Sequence, residues 1–227
     1  MRIWLPHAAL LLGLAGPWVH AQTVPPAAKD HVCVHPGVTV SAVLPADAQD
    51  ACAGAQDALA FFETLGVLPT EPLRLEVVPH LPEAAGTSAV GCYLEASKRT
   101  LLVPYAEFRQ TRTWFKQPID RTLYRSLATH ETAHAVAACA FGIAKPTLQA
   151  KEYLAYVAML AAMPGALRER VLNAYPDAAF ADDGRITAVY YMFEPMAFGV
   201  ASWRHYAQAS QGPAFLKAVL SGRALID

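Results

Sequence analysis

The chain has 227 residues, 18 Lys and Arg against 19 Asp and Glu, a formal net charge of −1, and 54% hydrophobic residues. That length builds one sizeable core and hardly two. The near-balance of charge leaves no basic surplus for nucleic acid and no charge run for a membrane surface.

Residues 1–21, "MRIWLPHAALLLGLAGPWVHA", have the form of a secretory leader. Arg2 supplies the basic start, residues 8–15 a short apolar stretch, and Val19 and Ala21 the small residues ahead of a cut after Ala21. Gln22 follows that cut rather than Cys, so a lipid anchor there is not indicated. No later stretch reaches the roughly 18 unbroken apolar residues of a membrane span. The expectation is a secreted or periplasmic protein with no membrane anchor, residues 22–227 forming a single domain. Loss of the leader removes one Arg and no acid, which brings the net charge to about −2.

Residues 22–30, "QTVPPAAKD", carry no pattern, and "VCVHPGVTVSAVLP" then alternates like one strand or two short ones. In "HVCVH" the alternation puts His31, Cys33 and His35 on one face, a possible second metal site. A disulfide at Cys33 flanked by two surface histidines is the favoured reading. "DAQDACAGAQDALAFFETLG" has acids in its first turn and ends on Gly66, which reads as a helix. "LRLEVVPHLP" looks like a further strand and "VGCYLEASKRTLLVPY" like a hairpin turning near residues 97–99.

From Arg121 the pattern is almost entirely helical. One helix covers residues 121–141 and stops at Gly142; a second covers 148–163; a third follows Pro164, a residue favoured at a first helical position. "AYPDAAFADDGR" reads as a loop, its Asp182 and Asp183 solvated rather than calcium-binding. Two more helices, over 195–210 and 213–222, close the chain. Strands first and helices second make an α+β pattern. The four cysteines, Cys33, Cys52, Cys92 and Cys139, are an even count that in an exported protein suggests two disulfides, with three connectivities open.

The chemistry concentrates in "HETAH", residues 130–134. Residues four apart on a helix share a face, so His130 and His134 can direct two imidazoles at one tetrahedral metal. Glu131, turned by about 100°, lies beside that metal, where it can take a proton from water instead of ligating. Chance produces this pattern in roughly one chain in a hundred of this composition, so a third ligand is required. The long metzincin motif would need Gly and His further along, where Ala137 and Ala140 stand. The next helix offers Glu152. The first helix runs about 10 Å past His134, "GIAKPT" reverses the chain, and Glu152 returns roughly level with His134. Glu107 and Glu169 have no comparable geometry. Cys139 is rotated about 140° from His134, toward the back of the helix, and is expected in the core or in a disulfide. The helix around HETAH is nearly all apolar and should be buried, and metal binding would resolve the cost of two buried imidazoles.

His130, Glu131, His134 and Glu152, with the helix pair that carries them, resemble the gluzincins, zincin-like metallopeptidases with a His-Glu-x-x-His helix followed by a glutamate helix. The resemblance implies a zincin-like α+β fold, in which a strand-rich N-terminal half with a mixed sheet packs on the active-site helix and a helical half follows. It also implies Zn²⁺ held by His130, His134 and Glu152, and Glu131 as general base. The edge of the hairpin over residues 90–105 would hold an extended peptide or protein substrate, and the last two helices look like those that close small bacterial members. Gluzincins often carry an acid four positions after the ligand glutamate; Tyr156 stands there. For the oxyanion, His205 on a C-terminal helix is the first choice, with Tyr153, Tyr156, Tyr190, Tyr191 and Tyr206 as alternatives. Endo- and carboxy-type cleavage are both compatible with these residues. Two other readings stay open: a non-catalytic zinc-containing binding module of the envelope, and hydrolysis of a non-peptide amide. The oligomeric state is not legible.

Overall fold

The computed structural model describes residues 27–208 and 212–226, and the leader with Arg2, Val19 and Ala21 falls outside them. The alternating stretch forms two antiparallel strands, β1 (Lys29–Val32) and β2 (Val38–Ala42). Val38, Val40 and Ala42 take the buried phase of β2. Helix α1 (Pro45–Thr64) crosses over to β3 (Leu73–Val77), which lies parallel to β2. The hairpin of β4 (Gly91–Leu94) and β5 (Arg99–Leu102) completes the sheet in the order β1-β2-β3-β5-β4. β5 is parallel to β3, and β4 runs against both as an edge strand. Such a mixed order arises because α1 links parallel neighbours while the tight turns at either edge reverse the chain.

After the short helix α2 (Tyr105–Phe108), a two-residue-strand hairpin pairs β6 (Thr113–Trp114) with β7 (Gln117–Pro118). The helical half follows as α3 (Arg121–Ala140), α4 (Leu148–Ala162), α5 (Gly165–Asn173), α6 (Ala188–Phe193), α7 (Pro195–Gln208) and α8 (Gly212–Leu220). α3 packs on α1, on α4 and on β4 and β5 of the sheet, which makes it the central element. The result is a zincin-like α+β architecture. Among the described residues, no helix is long and apolar enough to cross a membrane.

The start of α3 is held firmly. The Asp120 carboxylate caps it, accepting from the Leu123 N–H at 2.8 Å. Arg121 pairs with Asp47 at 2.6 Å and Asp50 at 2.8 Å on α1, and Asp47 is buried. The Tyr124 hydroxyl donates to the Val103 carbonyl at 2.8 Å, tying the helix to the end of β5. The α1–α3 contact depends on Gly54, where a Cβ would lie 2.5 Å from the Arg125 carbonyl oxygen and 2.6 Å from the Ala128 Cβ. Backbone and a packed alanine cannot swing aside. Gly54→Ala is expected to destabilise the fold by about 1–3 kcal/mol, the usual cost of overpacking. A denaturation midpoint equal to wild type would refute this close packing.

Three features depart from the sequence reading. Only one disulfide forms among the described residues, Cys33–Cys52, which ties the end of β1 to α1. Cys92 and Cys139 are free thiols, so the expectation of two disulfides is corrected. Cys139 is exposed rather than in the core. The β6–β7 hairpin turns through Phe115 and Lys116, both at positive φ of 51° and 55°, where Gly or Asn would be usual. Phe115 is fully buried against Tyr156 and Tyr175, a gain that offsets the strain. Lacking Gly or Asn, the turn leaves no sequence signal.

Candidate metal centre

α3 and α4 form the expected antiparallel pair, joined by a loop that ends at Thr147, whose hydroxyl caps α4 by accepting from the Ala150 N–H at 3.3 Å. This brings Glu152 level with the two histidines. His130 Nε2 and His134 Nε2 are 3.2 Å apart; Glu152 places Oε2 3.5 Å from the first and Oε1 3.5 Å from the second. Donors about 2.05 Å from a tetrahedral zinc stand about 3.3 Å from one another; the two imidazoles meet that edge, and each faces a different oxygen of the Glu152 carboxylate, the three ligand groups lying within 4.8 Å of one another. His130 and Glu152 are buried and His134 nearly so. The Glu152 Oε2 has no hydrogen-bond partner among the described residues. A buried carboxylate oxygen without a donor is costly, and a cation at the centre of the three groups satisfies it. The residues therefore fit Zn²⁺. Among the described residues this is the one such cluster of His, Cys, Asp or Glu; His31, Cys33 and His35 form none.

Burial and the neighbouring charges shift all four groups. Burial pushes the His134 imidazole down to about 4, so it stays neutral, as a metal ligand must be. His130 is drawn upward, burial opposing and the Glu152 and Glu131 carboxylates prevailing. Glu152 is held low: burial opposes, but His134, His130 and a hydrogen bond from Tyr191 outweigh it. Glu131 is pushed up to about 7 by burial first, with Glu152 adding to the rise and His130 opposing it. A base near neutrality is well placed to accept and return a proton.

Glu131 sits against the edge strand. At Gly91, the first residue of β4, a Cβ would lie 2.6 Å from the Glu131 Cγ and 2.7 Å from its Oε1. Glycine is what lets β4 approach α3 closely enough to wall the site. Cys92, the next residue, has its thiol pushed up to about 11 by burial and by Glu131. Tyr156, in the place of the gluzincin acid, lays its ring on that of His130 with centroids 4.5 Å apart. It orients the imidazole by packing, while His130 Nδ1 finds no hydrogen-bond partner among the described residues.

These groups line a cleft of about 990 Å³ between β4 and α4, with α3 as its floor. Tyr191 and Met196 close it from the C-terminal half, Tyr191 from α6 and Met196 from the start of α7. His205 does not line it. Its Nδ1 lies 2.7 Å from the Tyr153 hydroxyl and its Nε2 3.1 Å from Asp183 Oδ1, which makes it a link between α7, α4 and the loop before α6. Glu107 and Glu169 are exposed and outside the cluster. Asp182 and Asp183 are exposed, as expected of a solvated loop. Cys139, expected on the back of its helix, lines this cleft instead.

Of the five tyrosine candidates, Tyr156 and Tyr191 line the cleft, and the fold of α6 brings Tyr191 there. The segment "TAVYYMF" has strand-like composition. It is helical because the Thr187 hydroxyl caps it, accepting from the Tyr190 N–H at 3.2 Å.

No curated protein and no solved structure matches the sequence. A family model described as a family of unknown function matches residues 38–227, a span that holds the four groups of the centre, and the chain belongs to that family, DUF6639.

Proposed function

We propose that the protein is an exported zinc metallopeptidase with His130, His134 and Glu152 as metal ligands and Glu131 as general base. The observation that carries this reading is the convergence of His130, His134 and Glu152 within 4.8 Å of one another, with the Glu131 carboxylate beside them. The zinc, when bound, supplies Lewis acidity for the substrate carbonyl and for water.

The protein's own groups do the rest. Glu131 accepts a proton from the attacking water as its oxygen bonds to the carbonyl carbon. The same proton passes to the leaving nitrogen as the C–N bond breaks, and the remaining hydroxyl proton follows it, giving a carboxylate and an ammonium. Tyr191, which lines the cleft beside Glu152, is the hydroxyl we assign to the charge that develops on the carbonyl oxygen, turned from Glu152 when substrate is bound. His205, the first choice on sequence, serves as a structural link. β4 offers an open strand edge for an extended substrate. The disulfide fits an oxidising compartment and an exported protein.

A non-catalytic zinc module would need the three ligands but not a base beside them, and Glu131 favours the enzyme. Incubation of zinc-loaded protein with a mixed peptide library, read by mass spectrometry, tests the proposal. Expected are cleavage products that vanish on chelation and return with zinc; an unchanged library refutes peptidase activity.

A further inference from the structure

α3 floors the cleft with a single face, made by Leu127, His130, Glu131, His134, Ala138 and Cys139. From Leu127 to Cys139 the helix rises about 18 Å, the reach of about five residues of extended peptide. The metal centre, held between His130 and His134, stands near the middle of that run. About 7 Å of floor lies on its Leu127 side and about 10 Å on its Cys139 side. β4 follows the same line, since Gly91 meets Glu131 and Tyr93 lies within the field of Cys139. β4 is the last strand of the sheet, and its outer edge is unpaired among the described residues. A peptide laid there as an added strand crosses the centre with chain on both sides of it.

Neither arm of the cleft ends in a wall. On the Cys139 side the lining passes the exposed Glu95–Lys151 pair and goes on to Ile143, Ala144, Pro146 and Leu148. On the Leu127 side, Ser88, Ala89, Val90 and Thr111 belong both to the cleft and to an adjoining depression of about 470 Å³. The groove therefore continues past the centre in both directions.

The cleft also lacks a receptor for a chain end. A terminal ammonium is held by a carboxylate with no other partner, and a terminal carboxylate by a free cation. Outside the metal centre, the charged side chains lining the cleft are Glu71, Glu95, Lys98 and Lys151. All four are already in ion pairs, Lys98 with Glu71 at 2.5 Å and Lys151 with Glu95. On the Leu127 side the hairpin contributes Thr113 and Trp114, which carry no charge. The acids of the adjoining depression, Glu83 and Glu107, lie outside the cleft's own lining, and no lysine or arginine lines that depression.

Resting on the peptidase reading above, we infer that the protein is an endopeptidase for extended, unfolded polypeptide segments, which lie through the cleft along β4 with at least two residues on each side of the scissile bond and engage it by neither chain end.

The test uses zinc-loaded full-length protein and peptides of about four to about ten residues, each made with free ends and with acetylated and amidated ends. Products are identified by mass spectrometry. Expected is interior cleavage, with free and blocked forms of one long peptide differing by no more than about twofold, because the ends contribute no binding energy. kcat/KM should rise at least about tenfold from the shortest peptides to those that fill the floor, since remote contacts lower the barrier only when they are made. Cys139, a free and exposed thiol on the floor of one arm, gives a second readout. A bulky maleimide fixed there, its position confirmed by mass mapping, should slow the long peptides at least about tenfold with zinc content unchanged. Release of single residues or dipeptides from one end overturns the inference and leaves the peptidase reading standing. So does loss of cleavage when an end is blocked, or an unchanged rate after labelling of Cys139. Failure to cleave any peptide overturns both.

Discussion

Glu131→Gln is expected to keep one zinc per chain and to lose peptide hydrolysis by about 10²- to 10⁴-fold in kcat, the range that a positioned general base contributes. Glutamine has the volume and shape of the glutamate it replaces, so the tight contact with Gly91 is preserved. It removes the one thing the mechanism asks of this residue, a carboxylate that accepts a proton from water and returns it to nitrogen. Because Glu131 is rotated away from the three donors, their geometry is untouched and metal content should match wild type. Elemental mass spectrometry and initial rates on one preparation separate these effects. If wild type cleaves peptides and the variant does so equally well, Glu131 is not the base. If the variant loses zinc as well, Glu131 belongs to the ligand set and the assignment of Glu152 is in question.

Glu152→Ala is expected to lower bound zinc from one per chain to near zero in protein purified without chelators. Two imidazoles alone leave a tetrahedral site half empty, and the third donor comes only from α4. The same loss should be visible in stability. Zinc at about 1,000 times its dissociation constant stabilises the fold that binds it by about 4 kcal/mol. For a domain of this size that raises Tm by roughly 10 °C, a shift expected in wild type and absent in Glu152→Ala. The variant has its own fold control, because α4 is anchored by Thr147 at its cap and by buried Leu154, Val157 and Met159 on its core face. A variant that still takes up one zinc and gains the same Tm refutes the His₂Glu centre.

Tyr156 stands where the gluzincin pattern has an acid, yet the cluster of His130, His134 and Glu152 still forms. An acid at that position would hydrogen-bond a ligand histidine; a tyrosine instead packs its ring on His130 and is itself wedged by Gly199 of α7, where a Cβ would come within 2.7 Å of the ring. Packing replaces hydrogen bonding as the means of orienting the imidazole, which ties the ligand's position to the docking of the C-terminal helices.

Much of this protein was legible in its sequence. The i, i+4 spacing of His130 and His134 follows from helix geometry alone. The placement of Glu152 needed only two helix lengths and a short reversal, and local periodicity sets both. The strands, α1 and the helical half were readable for the same reason: hydrophobic period and caps act within a few residues of one another. What lay beyond the sequence were contacts between parts of the chain far apart. Nothing near Gly91 announces that Glu131 will press against it from 40 residues away. Nothing near Glu95 names Lys151 as its partner across the cleft, 56 positions on. Helical rotation put Cys139 on the back of α3, yet the assembled walls of the cleft bring it into the lining. His205 was the first choice for the oxyanion and Tyr191 one of its alternatives; docking of α6 and α7 put Tyr191 in the cleft lining and turned the His205 imidazole to Tyr153. Local spacing determined the metal centre itself; the docking of distant elements decided the walls of its cleft, because burial and long-range pairing are properties of the assembled fold.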